Sequence, residues 1–420
     1  MRSRDLPRRG HRRYDGNMKL IEPIVQRAAE YAALRRDLHA HPELCFDERR
    51  TAARVAERLR QCGIEVHEGL GLTGVVGVVR GRDGGACGRM VGLRADMDAL
   101  PMTELNTFAH ASRHPGRMHA CGHDGHTAML LAAAEHLART RDFDGTVVLI
   151  FQPAEEGGGG AREMIADGLF ERWPVQAVFG MHNWPGLPVG HWAVSPGPVM
   201  ASSNEFHVTL RGKGGHAALP HLAHDPVPAA CQLVQAWQTI LTRNLKPVEP
   251  GVLSVTMIRA GEATNVIPDH VELQGTVRTF SVEALDLIEA RMRDIAHGVA
   301  AAYGLQADFA LRRNYPPTVN HAAPAAFVAE VMRALAGPDA VHPQEPTMGA
   351  EDFAYMLQAR PGAYFFIGNG DGAHRAEHGP GHDAGPCTLH NPRYDFNDAL
   401  IPLGATLWVE LARAWLARAD

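Results

Sequence analysis

Six cysteines in 420 residues are too few for a disulfide-stapled secreted scaffold, and Cys62, Cys87, Cys121, Cys231 and Cys387 stand far apart. A reducing, cytoplasmic setting is expected. No uncharged apolar run approaches the roughly 20 residues a membrane-spanning helix needs. Neither sign of charge dominates: 41 basic against 47 acidic residues give a net charge of -6, which offers no phosphate-tracking surface and no polybasic membrane patch. Nucleic acid and membrane are therefore not expected partners. Met1 to Asn17 carries Arg2, Arg4, Arg8, Arg9, Arg12 and Arg13 but lacks the apolar stretch of an export signal, so residues 1–17 are predicted to be a disordered basic tail, with Met18 an alternative start. What is present is a globular balance, 45% hydrophobic and 21% charged, in a length that suggests two or three domains. The compositional oddity is 24 histidines. Imidazole is the commonest metal ligand and the usual near-neutral acid or base.

Helical periodicity runs from Leu20 to Leu38 and from Thr51 to Cys62. Beta-rich runs at Gly74 to Arg80 and Met90 to Ala95, a helical run from Thr127 to Leu137, and apolar runs at Thr146 to Phe151 and Val175 to Met181 follow. Strands that are apolar throughout are those buried on both faces by helices, which predicts an α/β core with a largely parallel sheet. After Ser195-Pro196-Gly197-Pro198 the pattern changes to strand, helix, two strands and helix, with a further strand at Gln306 to Arg312. This describes a smaller inserted α+β sandwich over residues 197–314, dividing the α/β core into 18–196 and 315–420. Within the second part a helix is expected over Ala323 to Leu335, a strand at Ala363 to Ile367 and a long amphipathic helix from Asp395 to Ala417. Gly368 to His390, rich in Gly and His, reads as a functional or mobile loop.

His119-Ala120-Cys121-Gly122-His123-Asp124-Gly125-His126 packs three imidazoles and a thiol into the entry to a helix. Cys121 and His123 lie two apart across a glycine, so both can aim at one point, and thiolate with imidazole suits zinc or another first-row transition ion. His126 falls one turn further on, as a supporting or a structural residue. Glu155 and Glu156 follow the strand Thr146 to Phe151 and precede four glycines, at the strand end where α/β sheets bind ligands. Adjacent side chains diverge, so one carboxylate can bind a metal while its neighbour addresses water. A metal that acidifies water and a Glu that moves its proton are a recipe for amide hydrolysis. His182 and His390 lie at two further strand ends; each alone reads as a core or loop histidine, but beside Cys121 and His123 they read as ligands. Asp96 and Asp98 share one face of a strand end, able either to bind metal or to orient a ligand's second nitrogen, the latter favoured. Glu351 and Asp352 stand at an expected helix start, where the dipole favours carboxylates whatever their function.

These motifs, in this order from about Leu34 to the C-terminus, resemble the M20 metallopeptidase superfamily, specifically the amidohydrolase branch of hippurate hydrolases, N-acyl-amino-acid amidohydrolases and plant auxin-conjugate hydrolases. The segments that carry the likeness are Leu93 to Met102, His119 to His126, Phe151 to Gly160, Gly180 to Gly190, Gly212 to His221, Asn265 to Asp269, Met348 to Phe353 and His390 to Phe396. The resemblance implies two divalent ions per chain, manganese, zinc, cobalt or nickel, held by Cys121, His123, Glu156, His182 and His390, with Glu155 as general base and acid. Cys121 sits where most of the superfamily has a bridging Asp, and Asp96 where other branches have a His ligand, which leaves the second metal's occupancy open. The resemblance also makes the inserted sandwich a lid and dimer surface, so that a homo-oligomer is expected. His216 becomes a donor to the developing oxyanion or the substrate carboxylate. Asn265 and Arg278 become candidates to grip a free carboxylate, Arg278 being equally readable as a surface strand residue. The implied reaction is hydrolysis of a small N-acyl-amino acid to a carboxylic acid and a free amino acid; a dipeptidase or carboxypeptidase of the same superfamily, and a metal-loaded ligand-binding module without catalysis, are the competing readings.

Overall fold

The computed structural model describes residues 18–378 and 387–418; the tail expected over 1–17 and part of the Gly- and His-rich loop lie outside the described residues. An eight-stranded sheet runs in the order Glu65–Leu70, Gly74–Arg80, Thr146–Gln152, Met90–Asp96, Ala177–Pro185, Gly362–Gly370, Trp192–Ala193, Val341–His342. Its middle four strands, Thr146–Gln152 to Gly362–Gly370, are mutually parallel. Glu65–Leu70 and Gly74–Arg80 add an antiparallel edge.

The apolar strands are buried on both faces because successive residues feed different cores. Val147, Leu149 and Phe151 pack with the helices Arg49–Gln61, His123–Thr140 and Leu400–Leu416, whereas Val148 and Ile150 pack with Met164, Leu169, Met356 and Leu357 on the other side. Such two-sided burial explains why no polar alternation marks these strands.

A four-stranded antiparallel sheet, ordered Gly251–Ala260, His270–Thr279, Ser203–Arg211, Gln306–Tyr315, carries the helices Pro226–Thr239 and Val282–Ala302 and a core of its own around Phe206, Val208, Leu233, Trp237, Ile288 and Met292. The strand anticipated after the second helix is present and extends to Tyr315. Where the chain passes into and out of this unit, Gly197–Met200 pairs with Thr318–Asn320.

Two expected elements differ. The opening helix is two, Glu22–Gln26 and Ala28–Ala40, broken at Arg27 (φ -103°, ψ 4°). The final helix begins at Leu400, not Asp395, because Asp395 is buried and taken by Arg35, His110 and His378. Those contacts hold its stretch outside the helix.

Candidate metal centre

The parallel middle strands end side by side, and their carboxyl ends deliver Asp96, Glu155 with Glu156, and His182 to one crevice. The helix His123–Thr140 enters the same crevice by its N-terminus. Gly122 precedes it with φ 91°; a Cβ there would stand 2.3 Å from Asn183 Nδ2, so only glycine lets Cys121 and His123 turn inward over Asn183. His390 arrives on the far loop, its own φ positive at 64° and its N–H donated to Ala120 O (2.8 Å).

The five expected ligands converge. Cys121 Sγ lies 3.3 Å from His182 Nε2, and His390 Nε2 lies 3.3 Å from Glu156 Oε1. Three overlapping sets, Cys121–His123–His182, Cys121–Glu156–His390 and His123–Glu155–Glu156, each bring their donor atoms within 4.8 Å of one another. Cys121 belongs to two of these sets. His390 is about half exposed, at 53%, and marks the solvent side; the others are buried or nearly so.

Two observations show that the donors suit a cation. His123 Nε2 and Glu156 Oε1 are buried without a hydrogen-bond partner, 3.9 Å apart. Orphaned polar atoms at that depth cost free energy unless something compensates them. Burial also pushes the Cys121 thiol and the Glu155 carboxyl well up; Glu156 and Glu155 add to the effect on Cys121, and Glu351 and Glu156 to that on Glu155. A divalent ion among these groups relieves both penalties.

Behind the donors, Asp98 orients one of them. Its backbone O and Oδ1 accept from His123 Nδ1 at 2.9 and 3.2 Å, which turns Nε2 toward the other donors, while its Oδ2 accepts from Glu156 N at 2.9 Å. The same bond from His123 holds Asp98 ionised against the opposing effect of burial. His182 is fixed through Nδ1, which donates to Asn183 O at 2.7 Å. Asp96 is engaged on both oxygens: Oδ2 accepts from Arg94 Nη1 at 2.6 Å and Oδ1 from His126 Nδ1 at 2.6 Å. His126 in turn accepts from Asn183 N (3.0 Å), so it braces Asp96 rather than joining the donors.

Arg94, Glu351 and Asp352 form the floor. The buried guanidinium also donates to Gln152 Oε1 and Glu351 Oε1, both at 2.8 Å, and to Asp352 Oδ1 at 3.3 Å. The sequence carried a signal for this group that periodicity alone passes over: an arginine inside an otherwise apolar strand, two residues before Asp96, requires a buried counter-charge. Tyr315 closes the other side, its hydroxyl bonded to Glu155 O and accepting from Gly159 N.

His216, Asn265 and Arg278 are not brought into this group. His216 and Asn265 are exposed on and beside the ribbon formed by Gly215–His216 and Val266–Ile267. Arg278 is half-buried on the open face of the antiparallel sheet, in a groove with Glu205, His207, Gln274, Thr276 and Arg312. Among the described residues, no hydrogen bond or ion pair joins the three to the donors above.

Comparison with known proteins shows which family the chain belongs to. The model of peptidase family M20/M25/M40 matches residues 92–414. Hippurate hydrolase of Campylobacter jejuni is 38% identical over 400 residues, 95% of this chain and all of the relative, and thermostable carboxypeptidase 2 of Saccharolobus solfataricus is 43% identical over 360 residues, 84% of this chain and 90% of the relative. A crystal structure of a dinuclear metal-binding M20 peptidase from Bacillus subtilis superposes with a TM-score of 0.80 at 34% identity, covering 94% of this chain and 99% of that one. With matches spanning almost its whole length, the chain belongs to peptidase family M20/M25/M40 and is a metal-dependent hydrolase of that family.

Proposed function

We propose that the protein hydrolyses the amide bond of N-acyl-amino acids, hippurate-like or N-acetyl conjugates, releasing a carboxylic acid and a free amino acid. The observation that carries this reading is the convergence of Cys121, His123, Glu156, His182 and His390, with His123 Nε2 and Glu156 Oε1 buried and making no hydrogen bond, and Glu155 beside them. The relatives named hippurate hydrolase and N-acetylcysteine deacetylase, 38% and 39% identical, support the substrate class.

Those five residues would hold two divalent ions, manganese, zinc, cobalt or nickel, which supply Lewis acidity to an amide carbonyl and acidify water. Glu155 takes the proton of the attacking water and returns it to the leaving amide nitrogen. Burial and its carboxylate neighbours raise its proton affinity, which suits a group that must hold a proton and then give it up. Residues 18–196 and 315–420 form the catalytic domain and 197–314 a lid. On closure about the paired strands Gly197–Met200 and Thr318–Asn320, His216 donates to the oxyanion, while Asn265 and Arg278 grip the substrate's free carboxylate. The same lid is the expected surface of a homo-oligomer. Six free cysteines are consistent with a reducing, cytoplasmic setting.

A peptidase reading is favoured by one observation, the 43% identity to a protein named thermostable carboxypeptidase 2. Turnover of hippurate, N-acetyl amino acids and dipeptides by the manganese-supplemented enzyme separates the two. Preference for the acylated amino acids supports the proposal; preference for dipeptides transfers the assignment to a peptidase; no turnover of any of them overturns both.

A further inference from the structure

Glu48 stands outside the metal donors, fully buried at the start of the helix Arg49–Gln61. Its Oε1 accepts two backbone N–H groups, from Ala154 at 2.8 Å and from Phe46 at 3.0 Å, and its Oε2 accepts from Thr73 Oγ1 at 2.5 Å. Both amide donors belong to residues with left-handed backbone, Ala154 at φ 53° and Phe46 at φ 60°, and neither is glycine. Such a conformation costs a residue with a side chain on the order of 1 kcal/mol and persists only where the surroundings impose it. One carboxylate oxygen therefore ties together two strained turns that are 108 residues apart in sequence, from 46 to 154.

The second turn is the one that aims Glu155. Ala154 immediately precedes it, and the turn has no slack: a Cβ on Gly158 would lie 2.7 Å from Ala154 Cβ and 3.0 Å from the Phe46 ring, and one on Gly160 would meet Pro153 O at 1.8 Å. Glu156, by contrast, has a separate anchor, its N–H bonded to Asp98 Oδ2 at 2.9 Å. The two neighbouring carboxylates are thus held by different residues.

We infer that Glu48 is a positioning residue for Glu155: by fixing the left-handed turn at Ala154 it sets the direction of the proton-transferring carboxylate without touching the metal ligands. The inference rests on the amidohydrolase reading. A displacement of about 1 Å at a reacting group is enough to lower turnover about 100-fold. Glycine adopts positive φ at no steric cost, so placing it at 154 removes the need for the clamp.

The test is steady-state kinetics and metal analysis on the full chain for Glu48→Ala, Glu48→Gln and the double variant Glu48→Ala/Ala154→Gly, beside wild type and Glu155→Gln. Glu48→Ala is expected to keep the wild-type metal content and KM while kcat falls about 100-fold. Glu48→Gln, whose amide oxygen still accepts both N–H groups, is expected to lose far less. Adding Ala154→Gly to Glu48→Ala is expected to recover about tenfold of the lost kcat, a rescue that a general folding defect does not produce. If Glu48→Ala does not fold, Glu48→Asp, one methylene too short to reach, replaces it in the same comparison. With an active wild type and an inactive Glu155→Gln, wild-type kcat in the folded Glu48 variant, loss of metal in it, or absence of rescue overturns this inference alone. An inactive wild type overturns the amidohydrolase reading and this inference together.

Discussion

At the scale of single residues, the side chains that meet in the crevice could be picked out in the sequence, and much of what surrounds them could not. Cys121, His123, Glu156, His182 and His390 are side chains of metal-binding type at strand ends, so residue type and position point the same way. Glu48 and Arg94 act through distant partners: Glu48 on Ala154, and Arg94 on Glu351 and Asp352, contacts that only the folded chain creates. Asp96 and Asp98 read alike in sequence yet differ in the fold, because Arg94 and His126 take both oxygens of Asp96 while Asp98 faces His123. Asp98→Ala should therefore weaken metal binding about 10- to 100-fold, since His123 loses the acceptor that fixes its tautomer and Glu156 loses its backbone anchor. Competition with a chromophoric chelator reads this directly, and wild-type affinity in the variant would show that the bond to Asp98 does not orient the ligand.

At the scale of elements, strands buried on both faces announced themselves. Thr146–Gln152 is buried at every position, and its apolar run is visible without a structure. The edge strand Glu65–Leu70 is largely exposed and carries two glutamates and a histidine, so no apolar pattern marks it. The late start of the final helix has an electrostatic cause that no local pattern contains, the burial of Asp395 against Arg35. A related buried cluster joins two helices: His39, on Ala28–Ala40, lies 2.9 Å from Asp124, on His123–Thr140, and 3.2 Å from Glu104. Burial opposes the charged imidazole, but Asp124 and Glu104 prevail and push His39 up to about 10 from 6.5. A raised folded-state pKa means that its stabilisation is complete below pH 6.5 and fades as the pH rises toward about 10. His39→Ala should cost about 3 kcal/mol near neutral pH, because it removes the nearest partner of buried Asp124 and leaves it only Arg35 Nη1 at 3.5 Å. It should also flatten the fall of stability across that alkaline window. Urea unfolding at several pH values measures both, and an unchanged pH slope would show that His39 carries no charge in the fold.

At the scale of the whole molecule, the strand pattern changes after Pro198 and resumes after Tyr315, and the fold has a second sheet with its own core between those points. Where His216, Asn265 and Arg278 come to lie relative to the donors was not legible in the sequence, since that depends on how two separately cored sheets approach each other. Because the donors come from both segments of the larger unit, from Cys121 to His390, a bound metal links chain regions that unfolding separates. Metal should thus stabilise the folded state by about 2.7 kcal/mol at a free concentration 100 times Kd. Removing it with a chelator should lower the Tm, and returning manganese or zinc should restore it; a Tm indifferent to both would place the ions elsewhere.

On the proposed reading, two adjacent carboxylates divide the work, Glu156 for the metal and Glu155 for the proton. The decisive measurement is kcat for an N-acyl-amino acid in Glu155→Gln at a verified metal content. Wild-type metal occupancy is expected, with kcat reduced about 10²- to 10⁴-fold, the range for loss of general acid–base catalysis. A metal-loaded variant that turns over at close to the wild-type rate would contradict that reading.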